Sequence, residues 1–117
     1  MTQAITATAE QRKTMNALLD NLFRMRDELM LLDMRGAQPD KFAEYNQSLY
    51  DIGIAISSIN GSILRSISSD FAQQLPNFES ATKKVAADLY SLRKTSAVLN
   101  AVSKAMSTVT SIITLLK

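Results

Sequence analysis

The chain of 117 residues contains no histidine, no cysteine and no tryptophan. Without imidazole or thiol it has no Ser-His or Cys-His nucleophile pair and no ordinary zinc or haem ligand set. Glycine occurs three times and proline twice, too seldom for the frequent turns of an all-β fold. The three glycines are isolated from one another, so no Gly-rich loop is available to cradle a phosphate. Absence of cysteine agrees with a reducing cytoplasm. The opening MTQAITATA has neither a basic start nor an apolar run, so no cleaved secretory signal is expected. Cytoplasmic location is the expectation, with export through a non-cleaved Thr/Ala-rich start as the alternative.

What is present describes one folded unit over residues 1–117. Hydrophobic residues make up 46% and charged residues 21%, a balance that supports a core without disulfides or metal. Charge is unevenly placed: residues 1–70 carry a net −2 and residues 71–117 a net +4. Such asymmetry favours an acidic partner or an anionic membrane surface, or pairs the last helix with the earlier ones. The second arrangement is the simpler.

Two breaks divide the chain. In Arg35-Gly36-Ala37-Gln38-Pro39-Asp40, Gly36 suits a left-handed helix end and Pro39 suits the first turn of a new helix. In Leu75-Pro76-Asn77-Phe78-Glu79, Pro76 disfavours helical geometry at Leu75, and Asn77 is a ready cap. Helices are therefore expected over about 4–35, 39–75 and 77–117, each roughly 50–60 Å long. Each carries an apolar stripe with alternating three- and four-residue spacing. In the first it runs Met15, Leu18, Leu22, Met25, Leu29 and Leu32; in the third it includes Leu99, Val102, Met106, Val109 and Ile113. The short connections predict an all-α, up-down-up, antiparallel three-helix bundle of coiled-coil type. This layout resembles the spectrin-type three-helix coil in length and topology, although spectrin repeats carry a buried tryptophan that is missing here.

Small residues recur every fourth position on two of these helices: Gly53, Ser57 and Gly61, and Ala97, Ala101 and Ala105. Folding back at residues 76–80 would lay Gly61 beside Ala97 and Gly53 beside Ala105, a close-packed helix seam within one chain or between two.

Chemistry-bearing clusters are scarce. Asp27, Glu28 and Asp33 are the nearest candidates for metal binding, but Arg24, Arg26 and Arg35 surround them, as on a salt-bridged solvent face. No catalytic residue, metal or cofactor is expected. Lys83, Lys84, Arg93 and Lys94, with Tyr90 between them, could meet nucleic acid, but no recognition motif accompanies them and a solvated face is the better reading.

The most distinctive stretch is residues 95–116, whose only charge is Lys104. Its apolar arc is wide, roughly 200° of the wheel, more than one side of a three-helix bundle requires. The surplus predicts contact with a fourth helix, a second copy or a lipid surface. Met30 and Met34 broaden the end of the first helix in the same way, and in an up-down-up bundle that end meets residues 108–116. The sequence thus predicts a non-enzymatic protein–protein interaction or assembly module. Its partner, another protein or a second copy, docks on a pole made of Met30, Met34, Ile112, Ile113 and Leu116, with Asp33 and Arg35 setting orientation. The alternative is a membrane-active, pore-forming or secreted protein whose third helix inserts on oligomerisation; eight Ser/Thr and the central lysine count against a stable single span.

Overall fold

The stripe predicted for the first helix is the inner face of α1, Ala9–Met30, in which Met15, Leu18, Leu22, Met25 and Leu29 are buried. The fold is taken from a computed structural model that describes residues 4–63, 66–92 and 94–116. A strand, β1 (Ala4–Thr6), precedes α1, where the sequence predicts helix. Helix starts at the capping box Thr8-x-x-Gln11: the Gln11 N–H donates to the Thr8 hydroxyl at 3.0 Å and the Thr8 N–H to Gln11 Oε1 at 2.9 Å. This satisfies two of the donors that a helix start leaves free.

After α1 the chain turns through Leu31–Gln38. The Arg35 guanidinium grips Asp33 at 2.8 and 2.9 Å, and the Arg35 backbone N–H donates to the same carboxylate at 3.0 Å. Gly36 adopts φ +77°, the left-handed geometry expected of it, within the turn instead of directly at the helix end. Helix α2, Pro39–Ser62, starts with proline in its first turn as predicted. Those first two helices form an antiparallel hairpin.

From here the structure departs from the expected three helices. Strand β2 (Ser66–Ser68) pairs antiparallel with β1, Ile5 opposite Ile67. Helix α3 is Ser69–Asp88, and after a short 3-10 turn (Leu89–Ser91) helix α4 covers Thr95–Ile113. The described residues thus form four α-helices; the boundary expected at Pro76 is absent, and breaks fall near residues 63–68 and 89–94 instead. Pro76 lies inside α3 with its ring exposed. An interior proline removes one helix hydrogen bond and costs about 3 kcal/mol. The helix that crosses it buries Phe71, Leu75 and Phe78, worth about 1.5–3 kcal/mol each, and sets the two phenylalanine rings edge to face at 6.3 Å. Burial outweighs the lost bond. The start of α3 is fixed by Ser68, whose hydroxyl accepts the Phe71 N–H at 3.0 Å and donates to the Leu115 carbonyl.

Adding a fourth helix reverses the direction of the last one. The paired strands β1 and β2 lead directly into α1 and α3, so both helices start at one pole and run parallel; midway along them Asn21 Nδ2 donates to the buried Thr82 hydroxyl at 3.2 Å. Helix α4 returns antiparallel to α3 and parallel to α2. Neighbours around the bundle are α1–α2, α2–α4, α4–α3 and α3–α1, while α1–α4 and α2–α3 lie on the diagonals. The β1–β2 ribbon lies at the pole where α1 and α3 begin. The long dimension is 47 Å, less than the helices of 50–60 Å that three segments would need. The likeness to a spectrin-type coil therefore does not extend to the topology.

Restoring the missing hydrogen bond at an exposed position is expected to stabilise the fold: Pro76→Ala should raise unfolding free energy in urea by about 1–3 kcal/mol. An unchanged or lower midpoint would mean that α3 does not run through residue 76. At the hairpin turn, the Arg35 guanidinium, and next its backbone N–H, hold the exposed Asp33 carboxyl below the usual carboxylate range. A depressed carboxylate contributes stability above its unfolded pKa and loses it as pH falls through the folded value. Arg35→Ala should move the Asp33 titration upward in an NMR pH series, and a stationary titration would show that the pair does not form in solution.

Candidate docking face

The outward side of α2 is unlike a normal surface helix. Every fully exposed residue from Phe42 to Gly61 on this helix is uncharged. Three of them are large and apolar: Phe42 is 41% exposed, Tyr50 65% and Ile54 45%. Single exposed apolar side chains are ordinary. Three on one uncharged helix face form a patch of the kind that marks interaction sites. By contrast, α1 exposes Glu10, Lys13, Asp20, Arg24 and Asp27, and α3 exposes Asp70, Lys83, Lys84 and Asp88. Helix α4, beside α2, exposes only Lys104 among charged residues, with Ser96, Asn100, Ser107, Thr110 and Ser111 making the rest of its outer face polar but neutral.

Between α2 and α4 lies a cleft of about 580 Å³ lined by Asp51, Met106 and hydroxyl residues including Ser103, Ser107 and Thr114. Asp51 accepts a hydrogen bond from Gln47 Nε2 at 2.8 Å. The Ser111 hydroxyl donates to the Ser107 carbonyl at 3.2 Å and the Thr114 hydroxyl to the Ser111 carbonyl at 2.7 Å. These hydroxyls satisfy their own helix backbone, and the chain has no imidazole to activate one of them. The cleft therefore presents a polar lining of hydroxyls and one carboxylate. A smaller cleft of about 300 Å³ adjoins it, where Tyr50, Ile54 and Ala55 meet Thr110 and Ile113, so the patch and the cleft form one continuous side of the bundle.

No family model, curated protein or solved structure matches the chain.

The pole predicted from the sequence does not assemble. Met30 is 62% exposed and Met34 buried at the end of α1, whereas Ile112 and Ile113 are buried in α4 and Leu116 is half-buried near the ribbon. Because α4 runs opposite to α1, these groups sit at opposite ends of the bundle. The surplus apolar arc of residues 95–116 is taken up within the chain: Val98, Leu99, Val102, Ala105, Met106, Val109, Ile112 and Ile113 are core, packed against both α2 and α3. A fourth helix, one of the three expected uses of that arc, accounts for it.

Nor does the predicted seam form within the chain. Gly53, Ser57 and Gly61 are exposed on the outer side of α2, and a Cβ added at either glycine would meet nothing within 4 Å. Ala101 and Ala105 turn instead towards α3, beside Ala81, Lys84 and Val85. Because α2 and α4 are parallel, the pairing of Gly61 with Ala97 and Gly53 with Ala105 does not arise within the chain, which leaves the alternative of a seam between two chains. Of the acidic candidates, Asp27 lies 3.9 Å from Arg26 and Asp33 is held by Arg35; among the described residues no three acidic side chains gather at one point. Of the basic group, Lys83 and Lys84 are exposed on α3 and Lys94 immediately precedes α4. Arg93 and the Tyr90 side chain lie outside what the structure describes. The apolar stripe that the sequence predicts for the second helix runs Phe42, Tyr45, Leu49, Ile52, Ile56, Ile59 and Ile63; Tyr50 and Ile54 fall beside it, and Phe42, its first member, is exposed at the helix start instead of buried. The signal that could have found them is the scarcity of charge, since Asp51 is the one charged residue between Tyr45 and Ile63.

Ile112→Asp would place a carboxylate in the core, so it should lower the urea midpoint strongly and reduce helical ellipticity, since an unpaired buried charge costs several kcal/mol. Retained stability would contradict the position of Ile112 in the core.

Proposed function

We propose that this chain is a non-enzymatic helical interaction module that docks helix to helix through the outer face of α2. The observation carrying this reading is the uncharged exposed arc from Phe42 to Gly61, with Phe42, Tyr50 and Ile54 standing out from it. Large apolar anchors amid neutral, small residues supply affinity by desolvation, and the hydroxyl-lined cleft beside them supplies a polar rim. Charge on α1 and α3 keeps much of the remaining surface solvated, although Met30 and Leu31 stand exposed at the end of α1.

A membrane-active role stands second. Thr95–Leu116 has the length and hydropathy of a span, but using it that way requires opening the core that α4 shares with α2 and α3.

The chain has no native cysteine, so a benzophenone can be attached at one introduced thiol. Placed at Ile54, it should give protein adducts on irradiation in cells expressing the chain; placed at Lys83, on the charged side, it should not. Equal yields from both positions, or lipid adducts alone from Ile54, would sink the proposal. The paired substitutions Tyr50→Asp and Ile54→Asp should abolish those adducts, recorded from the α2 position Phe42, while leaving ellipticity unchanged.

A further inference from the structure

We infer that the occupant of this face is a second copy of the same chain, with α2 packed against α2 in an antiparallel, twofold arrangement. This rests on the reading of α2 as the docking helix and names its partner. Phe42, Asn46 and Tyr50 follow one another at four-residue spacing, and so do Gly53, Ser57 and Gly61. All six are exposed, and at 100° per residue they share about 100° of the helix circumference. Among these six the larger side chains fall in the first half and the small ones in the second; Ala43 and Asn60, exposed at the borders of the same arc, also lie over one another on reversal.

Such a stripe is complementary to itself when reversed. With the twofold axis passing between Asp51 and Ile52, Phe42 of one copy lies over Gly61 of the other, Asn46 over Ser57, and Tyr50 over Gly53, each contact made twice. Every larger side chain meets a position with little or no side chain, the condition for close helix approach. A parallel pair would set Phe42 against Phe42 and glycine against glycine, leaving clashes and voids along the same interface. An unrelated partner gives no reason for the two halves of one stripe to match each other. The glycines have no intrachain explanation either: open space surrounds both, although glycine weakens a helix interior relative to alanine.

The neutrality of the stripe agrees with a second copy. Only residues close to the twofold axis meet their own kind in an isologous interface, and charge there would repel; the six stripe residues carry none, and Asp51, next to the axis in sequence, is half-buried on the α4 side and hydrogen-bonded to Gln47. Antiparallel helices also oppose their macrodipoles favourably. Helix α2 has 24 residues, about 36 Å at 1.5 Å per residue. At a helix width of about 10–12 Å it offers roughly 400 Å² per copy, so the adjoining face of α4 has to contribute if the interface is to reach the roughly 800 Å² per partner of a standard one. The hydroxyl side of α4 lies beside the axis and provides the rim.

Light scattering behind size exclusion, over a range of micromolar concentrations, should give a dimer that dissociates on dilution. Gly53→Leu adds a side chain where the isolated chain has open space, so ellipticity should be kept while association weakens by about 30-fold or more, as for a central interface residue. Orientation is read by disulfide formation between singly substituted chains. Asn46→Cys mixed with Ser57→Cys should give the mixed product. Asn46→Cys alone should give none, because its two copies would lie about 16 Å apart along the axis, beyond disulfide reach. A monomer at every concentration, a dimer indifferent to Gly53→Leu, or self-crosslinking of Asn46→Cys without the mixed product would each overturn the inference. If the chain is monomeric while a benzophenone at Ile54 still forms adducts with a different protein, the second copy is refuted and the docking face stands. If Ile54 forms no protein adduct at all, both fall.

Discussion

Burial of Phe71, Leu75 and Phe78 along one helix face is the constraint from which the rest of this structure follows. It carries α3 through Pro76 against the stereochemical preference of proline. Once residues 69–88 are one helix, the chain after residue 38 must be cut into three helices, not two. The helix count then becomes even, and the last helix runs opposite to the first. That reversal sets α4 beside α2 in parallel and separates Met30 from Ile112 by the length of the bundle. The small residues of α2 are left facing outward. A choice at a single proline thus decides which surfaces the protein can offer to others.

The pole where α1 and α3 begin shows how the chain accomplishes the diagonal crossing from α2 to α3. Strand β2 pairs with β1 there, placing the buried Ile67 under the ribbon. The Ser68 hydroxyl joins two elements at once, accepting from the first turn of α3 and donating to the carbonyl of Leu115 after α4. A buried hydroxyl satisfied in both directions adds specificity without leaving an unpaired group. Midway along the bundle, Thr82 does the same between α1 and α3: it accepts from Asn21, and its hydroxyl lies 3.2 Å from the carbonyl of Phe78. These two polar pins sit in an otherwise apolar core and fix the relative height of the helices they join.

The distribution of charge mirrors this arrangement. The exposed faces of α1 and α3 carry most of the ionic side chains, whereas those of α2 and α4 carry almost none. A neutral side of this extent stays soluble only while it is modestly apolar, and its many Ser, Thr, Asn and Gln residues meet that condition. The same neutrality removes the usual barrier to like meeting like, so the features that mark α2 as an interface also make a second copy a suitable partner.

Much of the fold was legible in particular residues. Helical periodicity of Met15, Leu18, Leu22, Met25 and Leu29, the left-handed Gly36 and the helix start at Pro39 all follow from local stereochemistry and from spacing within one element. The start of α3 at Ser68 was not legible beside Pro76, because proline is the stronger local breaker. The sequence by itself determined the all-helical class and the inner faces of the helices, because 3.6-residue periodicity is an intrinsic property of the backbone. Only the tertiary structure decided that Pro76 lies within a helix, that α4 opposes α1, and that Gly53, Ser57 and Gly61 face outward. Those outcomes depend on the summed burial of side chains far apart in the chain, and no spacing within a single segment encodes that sum.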